Sequence, residues 1–199
     1  MEIVHAIKCL TMGMPTLLTG GVPRCRAGDE RLSSSKIQAP ESLSISSPAF
    51  ADGDPIPQKY TQDGQNISPP LALAGMPANA RSLVLIVEDP DAPTPNPFVH
   101  WLAYNIPPSA QALPEAITID DRIENPIPFL QGKNSSMKTG FIGCAPPKGD
   151  TAHRYIFQLY ALDRMLDLKP AAGRSALLEA MEGHVIARGG MIGTYQRPK

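Results

Sequence analysis

The chain has 199 residues, 42% hydrophobic and 19% charged, with a formal net charge of −1. That suffices for one domain with a real core and lacks the concentrated basic face that nucleic-acid binding requires. Twenty-two prolines, about twice the usual share, favour short strands and loops over a helical bundle.

The chain opens on a stretch unlike the rest. Gly13, Pro15, Gly20, Gly21 and Pro23 interrupt every apolar run, and Gly28 to Lys36 is polar. Residues 1–42 are therefore expected to form a disordered extension, with the domain covering 43–198. The early Glu2 and the broken apolar run make a poor secretory signal, and Asp29 and Glu30 spoil the acid-poor pattern of a transit peptide. No stretch approaches the ~20 apolar residues that span a bilayer. Cys9, Cys25 and Cys144 include no C-x-x-C pair, which argues against a disulfide framework or structural zinc and for a reducing compartment. The expected location is the cytoplasm.

From Leu43 the pattern alternates, L-S-I-S, as in a strand, and Leu71 to Leu73 starts another. Leu83 to Val87 is a run of five apolar residues, too short for a helix and ended by a proline-rich turn, and so predicts a fully buried strand. Val99 to Ile106 predicts its neighbour, with His100, Leu102, Tyr104 and Ile106 on one face and Val99, Trp101, Ala103 and Asn105 on the other. Residues 131–149, rich in Gly, Ser, Lys and Pro, read as a long surface loop. His153 to Leu162 predicts a third strand, with His153, Tyr155 and Phe157 sharing a face and Arg154 opposite them in a structural ion pair. Leu177, Leu178, Met181 and Val185 set a helix over 175–187, ended by Gly189-Gly190 and followed by a closing strand at 191–195. Many short strands with one late helix predict a mostly-β domain.

The end of the 83–87 strand is where chemistry is expected. Asp89 and Asp91 sit on a turn stiffened by Pro90 and Pro93, and His100 follows on the next strand. A lone Asp-x-Asp usually bonds its own turn, and a lone strand histidine usually packs in a core. Placed together, two carboxylates can share a proton and accept an anion, since each raises the other's apparent pKa.

Five motifs in order carry a resemblance: D-G-Q-N-I-S-P-P-L at 63–71, D-P-D-A-P at 89–93, H-W-L-A-Y-N-I-P at 100–107, P-P-K-G-D-T-A-H-R-Y at 146–155 and M-E-G-H-V at 181–185. The chain resembles the phosphatidylethanolamine-binding protein family, in its bacterial Raf-kinase-inhibitor-like branch. The resemblance implies two antiparallel β-sheets packed as a sandwich with one or two peripheral α-helices. It also implies an anion pocket whose members here are Asp89, Asp91, His100, Pro147, His153 and Tyr155. In that pocket His153 supplies a positive partner near neutral pH and Tyr155 a neutral hydroxyl donor. Ser136 and Met137 follow Asn134-Ser135, where the family usually has an aromatic and then a glycine, so one pocket wall is expected to differ.

The reading that follows is a non-enzymatic regulatory protein that binds a phosphate- or carboxylate-bearing small ligand, such as a phosphoethanolamine head group, without a cofactor. Inhibition of a protein kinase or protease, and a homodimer, are associations of the resemblance alone. The alternative is a divalent-metal-dependent hydrolase built on the same Asp/His cluster. Against it, the chain lacks an H-x-H or H-E-x-x-H spacing, and no P-loop, G-x-S-x-G or G-x-G-x-x-G is present. A pocket that has lost its ligand is the third possibility.

Overall fold

In the computed structural model, residues 29–198 are described. The five-residue apolar run forms the heart of strand β3 (Ser82–Asp89), every residue of which is buried. It lies between β4 (Phe98–Ile106) and β8 (His153–Leu162), antiparallel to both. Around these three, β6 (Arg122–Ile123), β7 (Phe129–Gln131) and β9 (Val185–Tyr195) complete a six-stranded sheet of order β6-β7-β4-β3-β8-β9. A second sheet, β1-β2-β5, joins Ser44–Ser46, Leu71–Ala74 and Ala112–Leu113. The mostly-β character read from the sequence and the two antiparallel sheets implied by the resemblance are both observed.

Strand alternation assigns the two faces of the large sheet. Leu83, Leu85, Val87, Tyr155, Phe157 and Leu159 pack toward the small sheet with Leu71, Leu73 and Trp101. Val84, Ile86, Leu102, Tyr104 and Tyr160 pack on the other face with Leu177 and Met181 of helix α1 (Arg174–Met181). Continuing the alternation sends Asp89 to the inter-sheet side and Glu88 to the helix side, so one strand end supplies carboxylates to both.

Three expectations need correction. The helix stops at Met181, not 187: Gly183 takes φ +76°, and Val185–Ala187 enter β9, which runs on through Gly189-Gly190. The glycine at 189 serves a close approach, since a Cβ there would lie 2.1 Å from the Leu43 carbonyl oxygen. The 131–149 loop is not all surface: Phe141 and Cys144 are buried in the inter-sheet core, and Asn134 Nδ2 donates to the Gly140 carbonyl within it. Finally, residues 29–42 are not a loose extension. Two single-turn 3₁₀ segments, Asp29–Arg31 and Ser33–Lys36, lie on the helix side of the sheet with Leu32 and Ser33 buried. Composition suggests disorder there because the anchors are polar and their partners lie more than fifty residues away. The rest of the expected extension, residues 1–28, lies outside the described residues.

Candidate ligand site

At the end of β3 a cavity of about 300 Å³ opens on the inter-sheet side. It is lined by Asp89, His100 and His153, together with Phe98, Gln62 and the proline-rich stretches 92–94 and 145–147. Four of the six sequence-predicted residues, Asp89, His100, Pro147 and His153, therefore meet at one place.

Asp89 is 3% exposed, and both its oxygens are occupied. Oδ1 accepts the N–H groups of Asp91 and Ala92 at 2.8 and 3.0 Å, closing the turn, and Oδ2 lies 2.8 Å from His153 Nδ1. A carboxylate only accepts, so Nδ1 of His153 carries the proton and donates. The ring is thereby fixed in orientation, and Nε2 is the nitrogen that Asp89 leaves over. The exposed Asp150 carboxylate stands 3.8 Å from it.

His100 Nδ1 lies 2.7 Å from the Ile142 carbonyl oxygen and must donate to it, which makes Nε2 the lone-pair nitrogen. Burial lowers its pKa, against the raising effects of the Ile142 bond and Asp89, so the ring is neutral near pH 7. It packs against Phe98 and, edge-on, against Tyr155 at centroid distances of 4.9 and 5.0 Å. Its presence here contradicts simple alternation, which groups His100 with Leu102 and Tyr104. The pairing of β3 with β4 skips His100: Val87 faces Trp101 and Glu88 faces Val99. A β-bulge thus re-aims the imidazole onto the inter-sheet face. A second shift, past Asn105 at φ +57°, returns Ile106 to the same face as Trp101.

The other two predicted residues do not join the cavity. Asp91 turns to the helix side, where Oδ2 accepts from Arg154 N and Nε and Oδ1 from Nη2, at 2.6 to 2.9 Å. Partial burial works to raise the Asp91 pKa, but the Arg154 bonds outweigh it and hold the carboxyl below its ordinary value. The proton shared between two aspartates therefore has no basis: one is paired with a guanidinium and the other is spent on a turn and a histidine. Arg154 itself lies opposite His153, in the ion pair that alternation predicts. Tyr155 is 1% exposed and lies behind His100. Its hydroxyl meets no oxygen or nitrogen partner; the Cys144 thiol, a weak donor and acceptor, is its hydrogen-bonding neighbour. Burial raises the pKa of both groups, leaving a protonated thiol and phenol beneath the site.

The 63–71 motif builds the neighbouring wall. Asn66 Oδ1 accepts the Gly143 N–H at 2.7 Å, and Gln62 Nε2 donates to the Gly143 carbonyl at 3.0 Å, which fixes Gln62 beside the cavity. Sequence reasoning missed Gln62 and Phe98 as lining residues; Phe98, two positions before His100, was the more legible. Among the described residues, no three His, Cys, Asp or Glu side chains are grouped as metal ligands.

The fold is a two-sheet antiparallel β-structure with a small His/Asp cavity at the end of its central strand. The family profile described as phosphatidylethanolamine-binding protein matches residues 46–196. A UPF0098 protein of Pyrococcus horikoshii is 42% identical over 184 residues, 92% of this chain and 87% of the relative. A UPF0098 protein of Methanothermobacter thermautotrophicus is 46% identical over 155 residues, 78% of this chain and 99% of the relative. Among solved structures, a phosphatidylethanolamine-binding protein homologue from Chlamydia trachomatis aligns with a TM-score of 0.71 at 40% identity, over 79% of this chain and 99% of that one. YbcL of Escherichia coli, described as a member of the mammalian family, aligns at 0.72 and 28% identity, over 78% and 99%. The chain belongs to the phosphatidylethanolamine-binding protein family. No helix among the described residues is long and apolar enough to cross a membrane.

Proposed function

We propose that the protein binds a small phosphate- or carboxylate-bearing ligand in the cavity at the end of β3, as a binding rather than a catalytic protein. One observation carries this reading: His153 lines the cavity with Nδ1 committed to Asp89, so that protonation of the ring adds a donor at Nε2. Neutral His100 complements it, offering a lone pair to a ligand hydroxyl or ammonium. Asp150 gives an ammonium group a carboxylate close to that same nitrogen, which suits a zwitterion such as phosphoethanolamine.

Calorimetry with inorganic phosphate and with phosphoethanolamine tests the reading. The His153→Ala variant, stripped of a charge-assisted donor, should bind about tenfold to a hundredfold more weakly. Equal affinity in the variant and the natural chain, or no binding of either compound at millimolar concentration, overturns it.

A further inference from the structure

The cavity wall formed by residues 90–97 has a hydrogen-bonding problem of its own. Pro90, Pro93, Pro95 and Pro97 each carry a carbonyl and no N–H. The N–H groups of Asp91 and Ala92 go to Asp89, and that of Thr94 goes to the Ala92 carbonyl. Donors for other carbonyls of the loop come from a distant segment. Arg31 Nη1 donates to the Thr94 and Pro95 carbonyls at 2.7 and 3.1 Å, and Nη2 to the Pro90 carbonyl at 2.8 Å. One guanidinium thus holds three carbonyls of one loop.

Arg31 is itself well anchored. Its carbonyl accepts Arg174 Nη2 at 2.9 Å. Two residues on, Ser33 donates its N–H and its hydroxyl to buried Glu88, each at 2.9 Å. Two residues back, Asp29 pairs with Arg154 Nη1 at 2.7 Å, and Arg154 in turn holds Asp91 of the same loop. The 29–36 segment therefore fastens to the sheet at two points and to the cavity wall between them.

We infer that Arg31 is a positioning residue for the cavity, and that residues 29–36 form a strap setting where Ala92, Pro93 and Thr94 stand against a ligand. Its bearing on affinity rests on the ligand-binding reading above; its hold on the loop does not. The planar fork matters, because its two terminal nitrogens reach the Pro90 carbonyl and the Thr94 and Pro95 carbonyls from fixed, separate points, whereas an ammonium offers its donors from one.

Hydrogen exchange on the full chain separates the two claims. In Arg31→Ala the amides of Asp91, Ala92 and Thr94 should exchange about tenfold faster or more, while those of β8 keep their protection. Phosphate should bind several-fold more weakly, and Arg31→Lys should fall between the natural chain and the alanine variant in both readouts. The lysine variant carries the same test if the alanine variant fails to fold. Unchanged loop exchange, or equal acceleration in the loop and in β8, overturns the strap. If the natural chain binds neither phosphate nor phosphoethanolamine, the ligand reading fails, and loop exchange alone decides the strap.

Discussion

The two sides of the β3 terminus make a controlled comparison. On the helix side, Glu88 is fully buried and its oxygens meet Ser33, Gln158 Nε2 and Arg174 Nε. That cluster closes on itself. On the inter-sheet side, Asp89 is equally saturated, yet its partner His153 keeps a nitrogen to spare and a cavity beside it. Adjacent acidic residues of one strand thus serve different ends. A buried polar cluster whose members satisfy one another fixes structure, whereas one with an unused donor or acceptor at a cavity has hydrogen-bonding capacity left over.

The comparison is easiest to break at Glu88. Glu88→Ala leaves the Arg174 guanidinium and the Ser33 and Gln158 donors without their acceptor, and should destabilise the fold by about 3–5 kcal/mol in urea unfolding. A loss under about 1 kcal/mol, the range of exposed pairs, would mean the cluster is not the closed unit described.

Asp91 comes next. Asp91→Asn weakens its paired contact with Arg154 and should cost about 1–2 kcal/mol at neutral pH. The folded pKa of Asp91 lies below the ordinary 3.8, so its stabilisation is present above that value and lost as pH falls through the folded pKa. Unfolding midpoints below the ordinary value should therefore drop less steeply in the variant than in the natural chain. Phosphate affinity should fall no further than in Arg31→Ala, because Asp91 reaches the cavity only through the loop that both residues hold.

A smaller effect is expected at His100. His100→Phe keeps the ring packing and loses the bond to Ile142, costing about 1 kcal/mol. Here the folded pKa lies below the ordinary 6.5, so the unfolded chain binds the proton more readily. Stability is full above 6.5 and erodes as pH falls from there toward the folded pKa. Urea midpoints compared at about pH 7.5 and about pH 5.5 should converge between the variant and the natural chain at the acid end.

The smallest effect belongs to Tyr155. Removing a buried hydroxyl whose hydrogen-bonding neighbour is only the weak Cys144 thiol, in Tyr155→Phe, should shift stability by less than about 0.5 kcal/mol in either direction. Calorimetry should find phosphate affinity unchanged within about twofold, because the hydroxyl is not part of the cavity. A large loss of affinity would put Tyr155 back in the pocket.

By itself the sequence determined the elements that repeat simple local rules. The apolar run at 83–87 demanded a buried strand, the period of two at 153–162 set His153 and Arg154 on opposite faces, and both are observed. Four of the six residues expected at the pocket line the cavity: Asp89 and His100 were marked by the strand end and its proline-stiffened turn, Pro147 and His153 by the motif at 146–155 that carries the resemblance. What only tertiary structure decided was where local rules are interrupted or where partners are remote. The bulge at His100 reverses its face, and no local pattern marks it. The strand competing for Val185–Ala187 wins over the helix because pairing with β8 supplies ladder bonds that a frayed last turn cannot. Asp91 looked like a partner of Asp89 because they are two residues apart, but Arg154, 63 positions away, claims it. Residues 29–42 looked loose because their composition is polar; buried Glu88 and a proline-rich loop short of donors give those polar groups partners, and that is settled only when the chain has folded.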